Sequence, residues 1–310
     1  AQPLVVHFKG GDLALAHNGN LVNADVIRDY LEQQGVIHQT DVDSEVIANL
    51  IARRSNLPLL DAVRAASQDI RGSYALVMMV ADQLIALRDP LGIRPLALGK
   101  VDDAYVVASE SCAFDCMGGE LIRDLHPGEL LVIDQGGLHS YQMQVPLHSD
   151  LCIFEFVYFA RPDSIIDGQC VYDARLEAGR LLYRRHPVDA DIVIGVPDSG
   201  ITAAIGYSRE SGIPYGEGFI KNRYVGRTFI QPKQSMRETS VSIKLGVIKP
   251  NIDGKRVVMV DDSIVRGTTS KNIIKMLKNA GAKEVHVRIS SPEFLFPCYF
   301  GTNIPDCSQL

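Results

Sequence analysis

The chain has 310 residues, of which 46% are hydrophobic and 22% are charged, which is enough for two domains with apolar cores. A net charge of −6 argues against a surface built mainly for nucleic acid, and no apolar run approaches the length of a membrane span. The six cysteines are scattered, which excludes a dense disulfide framework and favours a reducing, cytoplasmic location.

The first half of the chain predicts helices followed by short strands. Apolar residues at helical spacing predict helices over residues 23–34, 44–54 and 59–70. The face of the first helix that we expect to be buried consists of Val26, Ile27, Tyr30 and Leu31. Runs of β-branched and apolar residues between turn residues predict strands over residues 74–81, 83–88, 104–108, 129–134 and 138–145.

Strands and helices alternate in the second half, and this pattern predicts a parallel sheet with helical crossovers. The predicted strands are residues 192–196, 256–260 and 284–289, and the predicted helices are residues 172–183, 201–210 and 269–280. We place the boundary between the halves near residues 147–151, which divides the chain into domains of residues 1–150 and 151–310.

The most informative motif is V-M-V-D-D-S-I-V-R-G-T-T-S, at residues 258–270. A buried strand should end at Asp261 and Asp262, and a turn of glycine and hydroxyl residues then leads into a helix. Ligands bind at this carboxyl edge of parallel sheets. The helix N-terminus suits a phosphate, and the carboxylates suit sugar hydroxyls or hydrated Mg²⁺. Taken alone, the aspartate pair would be interpreted as a solvated turn.

Two further segments support a phosphate-rich ligand. Residues 197–200, Pro-Asp-Ser-Gly, follow another predicted strand, and their backbone N–H groups could hold a pyrophosphate while Ser199 reaches Mg²⁺. Residues 221–232 are basic and aromatic, and a lid fits this composition better than a solvated loop does. The common nucleotide-binding strings, G-x-x-x-x-G-K-S/T and G-x-G-x-x-G, do not occur.

Three strings together resemble the glutamine phosphoribosylpyrophosphate (PRPP) amidotransferases: K-N-R-Y-V-G-R-T-F-I at residues 221–230, V-D-D-S-I-V-R-G-T-T at residues 260–269 and F-V-Y-F-A-R-P-D-S at residues 156–164. The resemblance covers nearly the whole chain. It implies an α/β fold in which an N-terminal-nucleophile glutaminase αββα sandwich, here incomplete, precedes a type I phosphoribosyltransferase parallel-sheet domain. The implied reaction opens purine (IMP) synthesis: PRPP, glutamine and water give 5-phosphoribosylamine, glutamate and pyrophosphate, with ammonia passed from the glutaminase site to the transferase site.

The resemblance implies a role for each motif residue of the second half. The ribose hydroxyls and Mg²⁺ would be bound by Asp261 and Asp262. The 5′-phosphate would be bound by Gly267, Thr268 and Thr269. The pyrophosphate would be bound by Asp198, Ser199 and Gly200, and Ser199 would also be a Mg²⁺ ligand. The lid that closes over the diphosphate would contain Lys221, Arg223 and Tyr224.

In the first half the corresponding motif is H-N-G-N at residues 17–20, which by itself is typical of a turn. The resemblance makes Asn18 and Gly19 the oxyanion hole of the glutaminase. It assigns Asp43 to the α-amino group of glutamine, and Asp43 could also cap a helix. The strings at residues 88–96 and 108–111 match the same class of glutaminase and are expected to be mostly structural.

The resemblance also implies parts that this chain does not contain. Such a glutaminase uses an N-terminal cysteine whose α-amino group is the base, whereas this chain begins with Ala1 and its first cysteine is Cys112. We therefore expect a piece of a longer protein that lacks the glutaminase nucleophile. Cys152 and Cys298 match two of the four thiolate ligands of a 4Fe–4S cluster in one branch of the family, and ordinary buried thiols are the alternative.

The expected partners are PRPP and glutamine, with purine nucleotides as feedback inhibitors and a homo-oligomeric assembly, and neither nucleic acid nor a membrane is expected. Two other functions are considered. A PRPP-binding regulator of the phosphoribosyltransferase fold would contact DNA, and the acidic charge and the glutaminase half count against it. A salvage transferase acting on a purine base would have no glutaminase half.

Overall fold

A computed structural model describes residues 2–143, 148–222, 245–265 and 267–301, and these residues form two compact units. The described part of the first unit comprises residues 2–143, 148–152, 164–168 and 298–301, and that of the second comprises residues 153–163, 169–222, 245–265 and 267–297. Within these ranges, no helix combines the length and the apolar character needed to cross a bilayer.

A six-stranded antiparallel sheet forms the centre of the first unit. Its strands, from one edge to the other, are β1 (Leu4–Phe8), β2 (Gly11–Leu21), β3 (Gly72–Val80), β4 (Gln83–Arg88), β8 (Glu129–Asp134) and β9 (Gly137–Gln142). One face packs against the helices α1 (Ala24–Gln33), α2 (Asp43–Ala52) and α3 (Leu59–Asp69). Alternate residues of the strands, such as Leu13 and Leu15, enter this core, and the helices contribute residues such as Leu31 and Ile47.

The other face of this sheet packs against a second, three-stranded sheet. Its strands are β6 (Ala104–Ala108), β5 (Ala97–Val101) and β7 (Glu120–Asp124), in that order. Ala75 and Leu131 of the large sheet meet Leu98 of the small one. The short helix α4 (Cys112–Cys116) covers the outer side, where Phe114 lies over Gly99. The resulting order of layers is that of the predicted αββα sandwich.

The second unit contains a parallel sheet of three strands, β12 (Ile192–Gly195), β15 (Arg256–Asp261) and β16 (Glu284–Ile289). On one face Val193 and Val258 pack with α6 (Gly200–Ser211), and on the other Ile194 and Met259 pack with α8 (Thr268–Asn279). Because both faces are covered, the strands are apolar without alternation, as the sequence predicted. The remaining elements of this unit are a π-helical turn (Glu155–Phe159), β11 (Gln169–Cys170), α5 (Val171–Arg185), β13 (Phe219–Lys221), β14 (Leu245–Val247) and α7 (Lys249–Ile252), whereas β10 (Ile165–Ile166) belongs to the first unit.

Most predicted elements are confirmed within one to three residues at each end, but two expectations about the first unit are wrong. Strands β1, β2, β5 and β7 were not predicted, and residues 13–16 were treated only as an apolar stretch and residues 17–20 as a turn. The buried stripe of α1 is also narrower than expected. Ile27 and Leu31 are buried, whereas Val26 and Tyr30 are 71% and 53% exposed. The buried side of α1 is therefore one i, i+4 pair, Ile27 and Leu31, rather than a face of four residues.

Two glycines allow the backbones of α5 and α6 to touch. A Cβ on Gly179 would lie 1.9 Å from the carbonyl oxygen of Ala203, and a Cβ on Gly206 would lie 2.0 Å from that of Leu176. Neither neighbour is a flexible side chain, so any larger residue would push the helices apart. Helix α6 in turn covers β12 and β15, and this close contact therefore supports the edge of the parallel sheet.

We predict that Gly206→Ala will lower the free energy of unfolding of the second unit by about 1–3 kcal/mol or more, because the added methyl overpacks a backbone contact. Amide hydrogen exchange of α5, α6 and β12 measures this loss. Glu177→Ala, at an exposed position of α5, is the matched control and should change stability by no more than about 0.5 kcal/mol. Equal protection in the two variants would show that the helices can separate at little cost.

Candidate functional site

The parallel register brings two loops to the same edge of the sheet in the second unit. Gly195 of β12 lies opposite Val260 of β15, so residues 196–199 and residues 262–265 leave the strands side by side. A Cβ on Gly200 would lie 2.6 Å from the carbonyl oxygen of Val260. Glycine at the first position of α6 therefore lets the helix N-terminus approach the end of β15.

Asp261 and Asp262 are buried at this edge, with 7% and 8% exposure, which excludes the solvated turn considered from the sequence. Asp261 is the last residue of β15 and Asp262 follows it. Their carbonyl oxygens accept the backbone N–H groups of Ser290 and Ser291 at 3.0 and 2.9 Å. These two hydrogen bonds hold the backbone of Asp261 and Asp262 against the residues that follow β16, and so fix where both side chains begin.

The charge of Asp262 affects the ionisation of Asp261. Burial, reinforced by the neighbouring charge of Asp262, raises the pKa of Asp261 to about 7, and the N–H of Asp262 only partly opposes this. Asp262 accepts hydrogen bonds from the hydroxyl groups of Ser199 and Ser263. The edge is therefore rich in oxygen ligands and in negative charge, a combination that suits a hard divalent cation.

Two neighbouring features could contact an anion. Lys221, the last residue of β13, forms an ion pair with Asp198, so one predicted lid residue reaches the predicted pyrophosphate loop. Helix α8 begins after Gly267, which has a φ of 67°, and Thr268 and Thr269 are exposed in its first turn. The N–H groups of a helix's first turn have no partner within the helix and can bind a phosphate. Arg223 and Tyr224 lie outside the described residues.

In the first unit, H-N-G-N lies within β2 and pairs with β3, so the expected turn is wrong. Gly19 has a φ of 147°, and a Cβ there would lie 2.1 Å from the carbonyl oxygen of Ser73. Glycine is required at this position for both reasons. The side-chain amide of Asn18 donates to Ser109 Oγ at 3.2 Å, which leaves its second N–H for another acceptor.

Asp43 is close to this segment. It is the first residue of α2 rather than its N-cap, which is Val42, so the capping role considered from the sequence is wrong. Its carboxylate contacts His17 Nδ1 at 3.2 Å and accepts the N–H of Leu21 at 3.1 Å. Burial opposes ionisation of Asp43, but the hydrogen bond and charge of His17 and the backbone N–H groups outweigh it, so the pKa of Asp43 is lowered.

Asn18, Gly19 and Asp43 therefore lie around one end of β2. His17 belongs to the motif quoted from the sequence, but no role was assigned to it there. Ser109 lies in a string that was expected to be mostly structural. Both residues stand in motifs quoted from the sequence. Their hydrogen bonds join residues 26 and 91 positions apart, and such pairs cannot be deduced from sequence spacing.

Arg88 has the structural role that was expected for its string. Its guanidinium is fully buried and donates to the carbonyl oxygens of Gly92, Arg94 and Leu125 and to Asp167. Cys152 and Cys298 are both half-buried in the first unit. In the described part of the chain, no three or more His, Cys, Asp or Glu side chains are grouped so that they could hold a metal ion.

Comparisons with known proteins match both halves of the chain. A model described as a glutamine amidotransferase domain matches residues 1–116, and a phosphoribosyl transferase domain matches residues 174–290. The chain is 54% identical to the amidophosphoribosyltransferase of Archaeoglobus fulgidus over 100% of its own length and 68% of the relative. It is 51% identical to that of Bacillus subtilis, covering 65% of that protein.

The solved structures agree. The glutamine PRPP amidotransferase from B. subtilis, complexed with ADP and GMP, is 49% identical with a TM-score of 0.92, over 100% of this chain and 69% of that one. The chain thus spans about two thirds of the length of its relatives, and its predicted fold class is confirmed. On this identity and coverage, the chain belongs to the amidophosphoribosyltransferase family.

Proposed function

We propose that this chain carries the PRPP-binding and glutamine-binding sites of an amidophosphoribosyltransferase that performs the first step of purine synthesis. PRPP, glutamine and water would give 5-phosphoribosylamine, glutamate and pyrophosphate. Residues 1–150 would form the glutamine amidotransferase domain and residues 151–310 the phosphoribosyltransferase domain. Ammonia released in the first would be the nucleophile in the second.

One observation supports the transferase activity more than any other: the buried pair Asp261 and Asp262 beside Ser199 at the carboxyl edge of the sheet. In the described part of the chain their hydrogen-bond partners are neutral hydroxyl and backbone N–H groups, which makes two buried carboxylates costly for a purely structural role. A ligand that brings a cation and hydroxyl groups would remove this cost. PRPP with Mg²⁺ is such a ligand.

The donor set at this edge fits Mg²⁺, since carboxylate and hydroxyl oxygens are the ligands that this ion prefers. Asp261, Asp262 and Ser199 would hold it together with the ribose hydroxyls. When bound, Mg²⁺ supplies charge that stabilises the leaving pyrophosphate. Asp198, Ser199 and Gly200 would bind the pyrophosphate through the start of α6, and Gly267, Thr268 and Thr269 would bind the 5′-phosphate through the start of α8.

Lys221 has a defined part in this proposal. It pairs with Asp198, and the pair would separate when a diphosphate offers Lys221 a more negative partner. Arg223 and Tyr224 would complete the lid. In such a closed site, positive charge develops at the anomeric carbon and negative charge on the departing pyrophosphate. Cations at the leaving group stabilise that second charge.

In the first unit, Asn18 and Gly19 would donate to the oxyanion formed from the glutamine amide, and Asp43 would bind the α-amino group of glutamine. Asp43 suits an ammonium ion because its pKa is lowered and its side chain is 21% exposed. A regulator without a glutaminase is disfavoured, because residues 1–116 match a glutamine amidotransferase domain.

Regulation and location follow from the same assignment. A relative is complexed with ADP and GMP, which supports purine nucleotides as inhibitors of this protein as well. We propose a cytoplasmic homo-oligomer, in keeping with a biosynthetic enzyme. Cys152 and Cys298 would supply two ligands of a 4Fe–4S cluster. Two thiols alone do not hold such a cluster, which needs four ligands, so no catalytic role is assigned to it.

We predict that Asp261→Asn and Asp262→Asn will each lower ammonia-dependent turnover of PRPP at least roughly a hundredfold, because each removes charge at the Mg²⁺ and ribose site. The matched control is Asp189→Asn. Asp189 pairs with Arg256 at the opposite end of β15, where no ligand is proposed, and its loss should leave turnover unchanged. Unchanged activity in both Asp261→Asn and Asp262→Asn would contradict the assignment of these residues to the Mg²⁺ and ribose site.

The cluster has a separate test. The full-length gene product, purified without oxygen, should be brown and contain iron, and Cys152→Ser should remove both the colour and the iron. Cys116→Ser, at an exposed cysteine outside the matched motifs, is the control and should retain them. Colourless, iron-free protein with normal activity would show that Cys152 and Cys298 are structural only.

A further inference from the structure

We propose that His17 is a positioning residue for glutamine: its imidazole holds the carboxylate of Asp43 in place and supports the backbone of Gly19. The proposal rests on the proposed function, in which Asp43 binds the α-amino group and Gly19 lines the oxyanion hole. The His17 side chain lies against both Asp43 and Gly19, and no contact with the reacting amide is proposed for it.

His17 lies on the face of β2 that enters the apolar core, in the same row as Leu13, Leu15 and Leu21. Its side chain is only 1% exposed. A polar ring buried this deeply is destabilising unless its nitrogens are hydrogen-bonded. Nδ1 lies 3.2 Å from Asp43 Oδ1, and Nε2 lies 3.4 Å from the carbonyl oxygen of Ser73. Both ring nitrogens thus face an oxygen acceptor.

This arrangement limits the protonation states that the ring can adopt. A neutral ring with its proton on Nε2 would turn a lone pair toward the carboxylate, which is repulsive. The contact with Asp43 therefore favours the tautomer with its proton on Nδ1. Among the described residues, the groups that face the ring are Asp43 from α2 and the Ser73 carbonyl from β3.

The backbone of His17 is also held. The side chain of Gln2 accepts the backbone N–H of His17 at 2.8 Å and donates to its carbonyl oxygen at 2.7 Å. These bonds fix the point from which the imidazole projects. One oxygen of Asp43 is bound by His17 and the other by the N–H of Leu21. The remaining lone pairs, on a side chain that is 21% exposed, are available to an ammonium ion.

The same ring lies against Gly19. A Cβ at residue 19 would lie 3.0 Å from His17 Nε2. The ring therefore packs close to the Gly19 backbone, with little room between them for a side-chain atom. The imidazole therefore spans the distance between the proposed amino-group ligand and the proposed oxyanion donor. We infer that it fixes the spacing of the two groups that must bind opposite ends of glutamine.

The experiment uses the full-length gene product and the release of glutamate from glutamine. His17→Leu should raise KM for glutamine about tenfold to a hundredfold, as expected for losing a hydrogen bond to a charged group, with a smaller effect on kcat. His17→Asn, which keeps a donor near the Nδ1 position, should recover most of this loss. Ammonia-dependent turnover of PRPP should be unchanged in both variants.

His7→Leu is the matched control, because His7 forms a similar contact with Asp12 on the surface, and KM should not change. ¹⁵N NMR of the wild-type histidines should show a proton on Nδ1 of His17. An unprotonated Nδ1, or a KM unchanged in His17→Leu, would overturn the proposal. Absence of glutaminase activity in the wild type would instead overturn the proposed function, so the two failures are distinguishable.

Discussion

The repulsion between two buried carboxylates, Asp261 and Asp262, is the constraint on which the proposed transferase site depends. Placing like charges together in a partly desolvated site is unfavourable, and burial together with the charge of Asp262 raises the pKa of Asp261. The surroundings reduce the cost with hydroxyl donors from Ser199 and Ser263, and with the N–H of Asp262. These donors do not fully offset the cost of the carboxylate pair, so the edge suits a bound cation.

The fold makes this arrangement possible by fixing backbones rather than side chains. The parallel register sets the ends of β12 and β15 beside each other, and Gly200 lets α6 start within contact of β15. The glycines at the α5–α6 contact hold α6 in that position. In the first unit, Gly19 likewise lets β2 approach β3, and Asp43 is held by His17. Each site combines a close backbone contact with a charged group at its edge.

The sequence was sufficient for the parts of the fold that depend on local pattern. The parallel sheet was predicted from the apolar runs of β12, β15 and β16 and from the helical spacing between them. A strand buried on both faces is a continuous apolar run, which is easy to recognise in a sequence. Strand β2 was missed because its polar end, H-N-G-N, has the composition of a turn. Its extended form is imposed by pairing with β3, whose residues lie more than 50 positions away.

The same distinction applies to the site. Asp261, Asp262 and Ser199 were recognised because each follows a predicted strand. The contact of His17 with Asp43 depends on how α2 packs on the large sheet, and the hydrogen bond of Asn18 to Ser109 depends on a residue 91 positions away. Tertiary packing of this kind leaves no periodic signal. Burial of the aspartate pair was likewise a result of packing, and it excludes a solvated turn.

The most direct test of the account is the number of protons released when Mg²⁺ and PRPP bind. At pH 7, with a pKa of about 7, Asp261 is protonated in about half of the molecules. A bound cation favours the ionised carboxylate and lowers its pKa, so binding should release about half a proton more from the wild type than from Asp261→Asn. The excess should grow toward pH 6 and vanish above about pH 8. Calorimetry in buffers of different ionisation enthalpy measures it, and equal release by the two proteins at every pH would contradict the account.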